Sequence, residues 1–109
     1  IYADGVLEYE FLGKRDRLAS LLNAEGYTMP MDLMLSSEYH REFDEFLYQE
    51  VGYPVLTSLT MGLFYSPYAI TSLREYFANG FEAAFLHQDA RYLKKISPKL
   101  FSKLENLTE

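Results

Sequence analysis

The chain has 109 residues, of which 49% are hydrophobic and 17% aromatic, so residues 1–109 are expected to form one folded domain with a single core. Its formal net charge of −6 argues against nucleic acid as a partner, because such an interface neutralises phosphates with Lys and Arg. No apolar run approaches the roughly 20 residues that span a bilayer, and no cysteine exists for a disulfide, a thiolate ligand or a nucleophile. No secretory signal is recognisable, so the compartment stays open.

The first half of the chain predicts two helices with a loop between them. Apolar residues at three- and four-residue spacings predict a helix over residues 13–23, with a helical or irregular segment before it. A loop is expected over residues 26–30, which begin with glycine and end with proline. Ser36 and Ser37 are N-cap residue types, so we expect a second helix to start there and to run to about Val51.

The second half predicts a short apolar helix over residues 54–62, because a proline opens it and apolar residues fill it. A tyrosine-rich loop is expected over residues 63–70. Ser72 lies three residues before Glu75, which is the capping-box spacing and predicts a helix to about His87.

The last part of the chain predicts a turn and a closing helix. Asp89 can cap a short turn that reaches Lys94, and Ser97 with Pro98 can open a helix to about Asn106. No segment alternates between apolar and polar residues for more than a few positions. The sequence therefore predicts an all-α fold of about four to six helices.

The helix that begins after Ser72 is amphipathic. At 100° per residue, Glu75, Asn79 and Glu82 share one narrow side of it. The opposite side is expected to pack into the core and carries Leu73, Phe77, Phe81, Ala84 and Phe85. The polar side is expected to face solvent or another part of an active site.

Tyr68 lies seven residues before Glu75, and Glu75 begins a Glu-Tyr-Phe-Ala run in the same helix. The order continues downstream with Phe81-Glu82-Ala83-Ala84-Phe85, Asp89-Ala90-Arg91 and Ser97-Pro98-Lys99. Over residues 68–107 this pattern resembles the C-terminal signature of the anthrax lethal factor-like zinc metallopeptidases. The resemblance implies the small helical C-terminal subdomain of a zincin-type metallopeptidase.

The resemblance also implies roles for three residues. Glu75 matches the third protein ligand of zinc, and Tyr68 matches a tyrosine whose hydroxyl stabilises the oxyanion of the reaction. Asn79 stands where the family usually carries a second glutamate that supports a ligand, and Gly80 replaces the usual alanine. The parent enzyme would hydrolyse peptide bonds with zinc-activated water.

The two histidine ligands of that family come from a His-Glu-x-x-His helix, which this chain does not contain. We therefore expect that segment, a required partner, to lie outside these 109 residues, and we expect the isolated chain to be inactive and not to retain zinc. His40 and His87 are expected to be structural. The implied substrate is a peptide or protein, and the family resemblance suggests secretion.

A second hypothesis belongs to a different class. The same residues are compatible with a non-catalytic acidic helical module that binds or regulates a partner, or with a degenerate toxin-like domain that has no metal. In either case Glu75 would be a surface carboxylate.

Overall fold

The computed structural model describes residues 5–28, 30–86 and 88–107, and these residues contain helices and loops but no strand. Seven α-helices follow in order: α1 (Gly5–Ala24), α2 (Met31–Met34), α3 (Arg41–Glu45), α4 (Tyr53–Leu59), α5 (Leu73–Phe81), α6 (Ala90–Ile96) and α7 (Pro98–Leu107). Two are extended by π-helical segments, α3 by Phe46–Val51 and α5 by Glu82–Leu86, and a 3₁₀ helix, Pro67–Ile70, precedes α5. The predicted all-α fold is confirmed. The count exceeds the expected four to six by one, because α2 is a single turn of four residues.

None of the described helices is both long enough and apolar enough to cross a membrane.

Helix α1 lies at the centre of the core and contacts α2, α5 and α7. Its buried stripe includes Leu7, Phe11, Leu18 and Leu22, each at most 1% exposed. Burying side chains of this size contributes roughly 1.5–3 kcal/mol each. This stripe also explains why α1 begins eight residues before the predicted start at residue 13: Leu7 and Phe11 belong to the same face, and their burial outweighs the weak helix propensity of Gly13.

The predicted serine caps of the second helix are wrong. Helix α3 begins at Arg41, and His40 occupies the N-cap position without a side-chain cap bond. Ser36 and Ser37 instead stabilise the preceding loop: the Ser36 hydroxyl accepts a hydrogen bond from the Glu38 N–H at 3.3 Å. The Ser37 hydroxyl donates to the Glu8 carboxylate of α1, so both hydroxyls are engaged elsewhere and neither caps α3.

The 63–70 segment is only partly the loop that we predicted. Leu63 begins an irregular stretch, but Pro67–Ile70 forms a 3₁₀ helix that packs closely against α5. Asp89 occupies the N-cap position of α6 but makes no cap bond, because its carboxylate accepts a hydrogen bond from the Tyr65 hydroxyl at 2.6 Å. The predicted helix end at His87 lies outside the described residues.

Helix α5 begins after Ser72 as predicted, but its buried face differs from the prediction. The buried residues of this helix and its π extension are Leu73, Tyr76, Gly80 and Ala83. Phe77 is half-buried, whereas Phe81 and Phe85 are 43% and 41% exposed. The expectation that both of these phenylalanines pack into the core is therefore wrong.

Close packing between α5 and α7 explains why this face of α5 is buried. A Cβ atom added at Gly80 would overlap Cδ2 of Leu100, so any larger residue requires the Leu100 side chain to move. On the same face, the Tyr76 hydroxyl reaches the Glu10 carboxylate at 2.6 Å and the Ser97 hydroxyl at 3.0 Å. The polar end of Tyr76 is thus satisfied in the interior, which allows its ring to be buried on the face that packs against α7.

Candidate functional site

Glu75 lies in the first turn of α5, and the position of its backbone is set by Ser72. The Ser72 hydroxyl accepts a hydrogen bond from the Glu75 N–H at 3.1 Å, which confirms the predicted N-cap. The Glu75 side chain is exposed and makes no hydrogen bond or ion pair with any described residue. A carboxylate in the first turn of a helix is a favourable neighbour of the helix dipole, and the oxygens of Glu75 remain accessible.

Glu75 lines a surface groove of about 630 Å³ between α1, α5 and the loop before α3. Eight residues form its walls: Glu8, Ser37, Glu38, Tyr39, Ser72, Leu73, Arg74 and Glu75. Three are carboxylates and one is a guanidinium, which gives the groove a negative potential. We call it the Glu75 groove.

Two hydrogen bonds hold the walls of the Glu75 groove together. The Leu73 N–H donates to the Ser37 carbonyl at 2.8 Å, which joins α5 to the loop. The Ser37 hydroxyl donates to the Glu8 carboxylate at 3.2 Å, which joins the loop to α1. Residues that are far apart in the chain therefore form one surface.

Tyr68 lies on the 3₁₀ helix and is 60% exposed. Its ring packs edge to face against Tyr53, with centroids 5.5 Å apart, and Tyr53 makes a second such contact with Tyr48 at 5.7 Å. Burial raises the pKa of Tyr53, with a smaller contribution from the Asp44 carboxylate. These contacts hold the Tyr68 ring from one side while the rest of it faces solvent.

Among the described residues, the Asn79 side chain makes no hydrogen bond to Glu75; it binds the loop that precedes the 3₁₀ helix. Its Oδ1 accepts a hydrogen bond from the Ser66 hydroxyl at 2.9 Å. Ser66 immediately precedes the 3₁₀ helix that carries Tyr68. Asn79 thus connects α5 to the start of the Tyr68 segment.

The described residues do not form a complete metal site. They contain no group of three His, Cys, Asp or Glu side chains close enough to hold an ion. Nε2 of His40 lies 2.9 Å from the Ser36 hydroxyl, and His87 lies outside the described residues. Glu75 has the carboxylate chemistry and the accessibility of one zinc ligand, so the remaining ligands of such a site would have to come from elsewhere.

Arg15 is a functional candidate that the sequence patterns do not single out. Its guanidinium is fully buried and donates to four backbone carbonyls: Ile70 at 2.6 Å, Met34 at 2.8 Å, Thr71 at 3.0 Å and Leu33 at 3.1 Å. The Arg15 Cζ also lies 4.1 Å from the ring centroid of Phe43 and 4.8 Å from that of Phe11. Its spacing is the sequence feature that indicates burial: Arg15 lies four residues after Phe11 and three before Leu18, on the buried stripe of α1.

Lys14 is the second buried cation of α1. Its ammonium donates to the carbonyls of Leu63 and Ile96, and it is 8% exposed. Burial lowers the pKa of Lys14 to about 8 and the pKa of Arg15 to about 9. Both side chains therefore remain largely protonated at neutral pH, although neither forms an ion pair with a carboxylate of the described residues.

The geometry thus presents an accessible anion, Glu75, and an exposed phenol, Tyr68, on adjoining segments. The first can bind a cation and the second can donate a hydrogen bond to a developing negative charge. Comparison with protein-family models, curated proteins and solved structures finds no match for this chain.

Proposed function

We propose that this chain is the C-terminal portion of a zinc metallopeptidase and that it supplies Glu75 as the third protein ligand of the metal. The observation that carries the proposal is the state of Glu75: its backbone is fixed by the Ser72 cap, and its carboxylate has no partner among the described residues. A carboxylate in this state is available to a metal ion that approaches the groove. The resemblance of residues 68–107 to the lethal factor-like family gives the carboxylate its role.

Each residue of this chain has a defined task in the proposed site. Glu75 would neutralise part of the metal's charge and leave one coordination position open, as catalytic zinc sites require. When bound, zinc lowers the pKa of a coordinated water and polarises the scissile carbonyl. Tyr68 would donate its hydroxyl proton to the oxyanion in a hydrogen bond, and its contact with Tyr53 limits the positions that the ring can take.

The general base and both imidazole ligands would come from a His-Glu-x-x-His helix outside this chain. If that helix supplies the other protein ligands, Glu75 is the one ligand that the described residues have to provide. This division of ligands also predicts that the 109-residue chain alone binds zinc weakly, because one carboxylate cannot compete with water for the ion.

Zinc content tests the proposal. The longer protein would be purified without a chelating tag and compared with its Glu75→Gln and Glu82→Gln variants by elemental analysis. Glu82 is an exposed carboxylate on the π extension of the same helix and serves as the matched control. We expect near-stoichiometric zinc in the unmodified protein and in Glu82→Gln, and a sharp loss in Glu75→Gln. Equal zinc in all three proteins, or none in any, would contradict the proposal.

The charge of the Glu75 groove favours a second candidate function, which is binding without catalysis. Glu8, Glu38 and Glu75 outnumber Arg74 on its walls, so the groove would attract a segment rich in Lys and Arg. A short basic peptide titrated into the 109-residue chain by calorimetry tests this function, with an acidic peptide of equal length as the control. Binding of the basic peptide alone, weakened by salt, together with absence of zinc from the longer protein, would select this candidate.

A further inference from the structure

The guanidinium of Arg15 is fully buried and has no ion pair among the described residues. Removing a cation from water without an opposing charge is strongly unfavourable unless other groups replace the lost solvation. No described carboxylate pairs with Arg15; four carbonyl oxygens and two aromatic faces take the place of water. A methionine or leucine would fill this volume at less cost, so the contacts that Arg15 makes require an explanation.

Those contacts converge on the candidate site. Ile70 ends the 3₁₀ helix that carries Tyr68, and Thr71 directly precedes the Ser72 cap. Nε of Arg15 binds the Ile70 carbonyl and Nη2 binds the Thr71 carbonyl, so two points of the guanidinium hold two successive peptide groups. The planar fork of arginine suits this arrangement, whereas a lysine ammonium donates from a single point.

The same guanidinium also binds the backbone that leads into the opposite wall of the groove. Nη1 of Arg15 binds the carbonyls of Leu33 and Met34 at the end of α2, immediately before the loop that supplies Ser37 and Tyr39 to the Glu75 groove. One side chain of α1 therefore connects the segments on both sides of the groove.

We infer that Arg15 is a positioning residue that fixes the Tyr68–Glu75 segment relative to the groove. It acts through the backbone of Ile70 and Thr71 and touches neither the metal nor the substrate. Its consequence for metal binding rests on the proposed function, but its effect on the segment does not. The inference predicts that loss of the guanidinium frees this segment before it unfolds the domain.

The matched control is the neighbouring cation. Lys14 is also buried on α1 and also binds two backbone carbonyls, but these belong to Leu63 and Ile96, and neither adjoins Ser72. Arg15→Lys and Lys14→Met therefore each perturb a buried cation of the same helix. Only the first removes the bonds to residues 70 and 71.

Amide hydrogen exchange of the 109-residue chain is the first readout. The reporters are the Leu73, Glu75 and Tyr76 N–H groups, which bond to Ser37, Ser72 and Ser72 respectively. In Arg15→Lys we expect these three amides to exchange at least about tenfold faster, with little change in the core of α7. In Lys14→Met we expect any acceleration to spread over the chain without singling out these amides.

Zinc affinity of the longer protein, measured by competition with a chelator, is the second readout. We expect Arg15→Lys to raise the zinc dissociation constant by about 10-fold or more, as loss of an outer-sphere support does, and Lys14→Met to leave it unchanged. If Arg15→Lys fails to fold, Phe43→Leu removes one aromatic face from the guanidinium and is expected to accelerate the same three amides.

The outcomes separate the two claims. If Arg15→Lys accelerates amide exchange equally over the whole chain, or if both variants accelerate the same amides, the positioning role is overturned. Local acceleration with unchanged zinc affinity would restrict Arg15 to holding the segment and overturn its effect on the metal. Absence of zinc from the unmodified longer protein would overturn the proposed function, and the exchange rates would still decide whether Arg15 positions the segment.

Discussion

The hydroxyl of Tyr76 donates a hydrogen bond to the carboxylate of Glu10 across the core, with 2.6 Å between the two oxygens. The same carboxylate accepts from the backbone N–H groups of Lys99 at 2.8 Å and Leu100 at 3.2 Å, in the first turn of α7. Glu10 therefore caps α7 from another helix, as a carboxylate near a helix N-terminus can. This pair connects α1, α5 and α7.

Replacing Tyr76 with phenylalanine tests how much this connection contributes. The ring would stay, but Glu10 and Ser97 would each lose a hydrogen-bond partner, so we expect the free energy of unfolding to fall by about 1–3 kcal/mol. Tyr9→Phe is the control, because it makes the same chemical change at a side chain that is 84% exposed. Urea denaturation measures both; an equal, small change in the two variants would mean that the buried bonds contribute little.

Alanine substitutions at Gly80 and Gly13 can be compared directly. Both lie within helices, where alanine is intrinsically better by about 1 kcal/mol. A Cβ at Gly80 would meet Leu100 at 2.4 Å, whereas a Cβ at Gly13 would meet nothing within 4 Å. We expect Gly13→Ala to stabilise the chain by about 0.5–1 kcal/mol and Gly80→Ala to destabilise it by about 1–3 kcal/mol, because Leu100 must repack.

Thermal or urea unfolding of the two glycine variants gives the sign directly. Stabilisation by both substitutions would show that Leu100 moves aside at no cost, and it would remove the packing explanation for the exposed phenylalanines of α5.

Because Lys14 is buried, we expect the free energy of unfolding to rise with pH. Burial lowers its pKa from 10.5 to about 8, so between these values the unfolded chain holds a proton that the folded chain has released. The free energy of unfolding should therefore increase from about pH 8 to pH 9, by up to about 1 kcal/mol per pH unit. The neutral amine keeps two N–H groups for its two carbonyl partners, so the hydrogen bonds persist.

Urea midpoints measured between about pH 7 and pH 9 check this effect, with Lys14→Met as the comparison. We expect a flatter curve in the variant. At higher pH the tyrosines oppose the rise: hydrogen bonding to Asp89 raises the pKa of Tyr65 to about 12, so the unfolded chain ionises first and stability falls. An identical slope in Lys14→Met and the unmodified chain would exclude Lys14 as the source.

The exposed apolar patch formed by Phe81, Phe85 and Leu86 predicts self-association of the isolated chain. The two rings are 4.8 Å apart, and Leu86 is 68% exposed. A contiguous apolar surface of this kind favours association. We expect sedimentation to show concentration-dependent oligomers that disappear in a Phe81→Ser, Phe85→Ser double variant; a monomer at all concentrations, with no binding of an apolar dye, would contradict this.

The sequence alone was enough to predict the helical class, helix α4 and the start of α5. These features depend on local chemistry: apolar spacing near 3.6 residues, Pro54 near a helix start, and a serine hydroxyl that bonds an amide three residues away. Glu75 could also be singled out from the sequence, because the Ser72 cap places it in the first turn. Its proposed role as a zinc ligand stays a prediction.

Tertiary contacts decided the rest. Ser97 has the residue type of a cap, yet its hydroxyl bonds Tyr76, and the first turn of α7 is capped by Glu10 from 90 positions upstream. Phe81 matches the apolar periodicity, yet the approach of Leu100 to Gly80 buries the adjacent face of α5. Arg15 is charged, yet four distant carbonyls solvate it. A capping motif or an apolar spacing depends on residues within one turn, whereas these choices depend on groups that only the folded chain brings together.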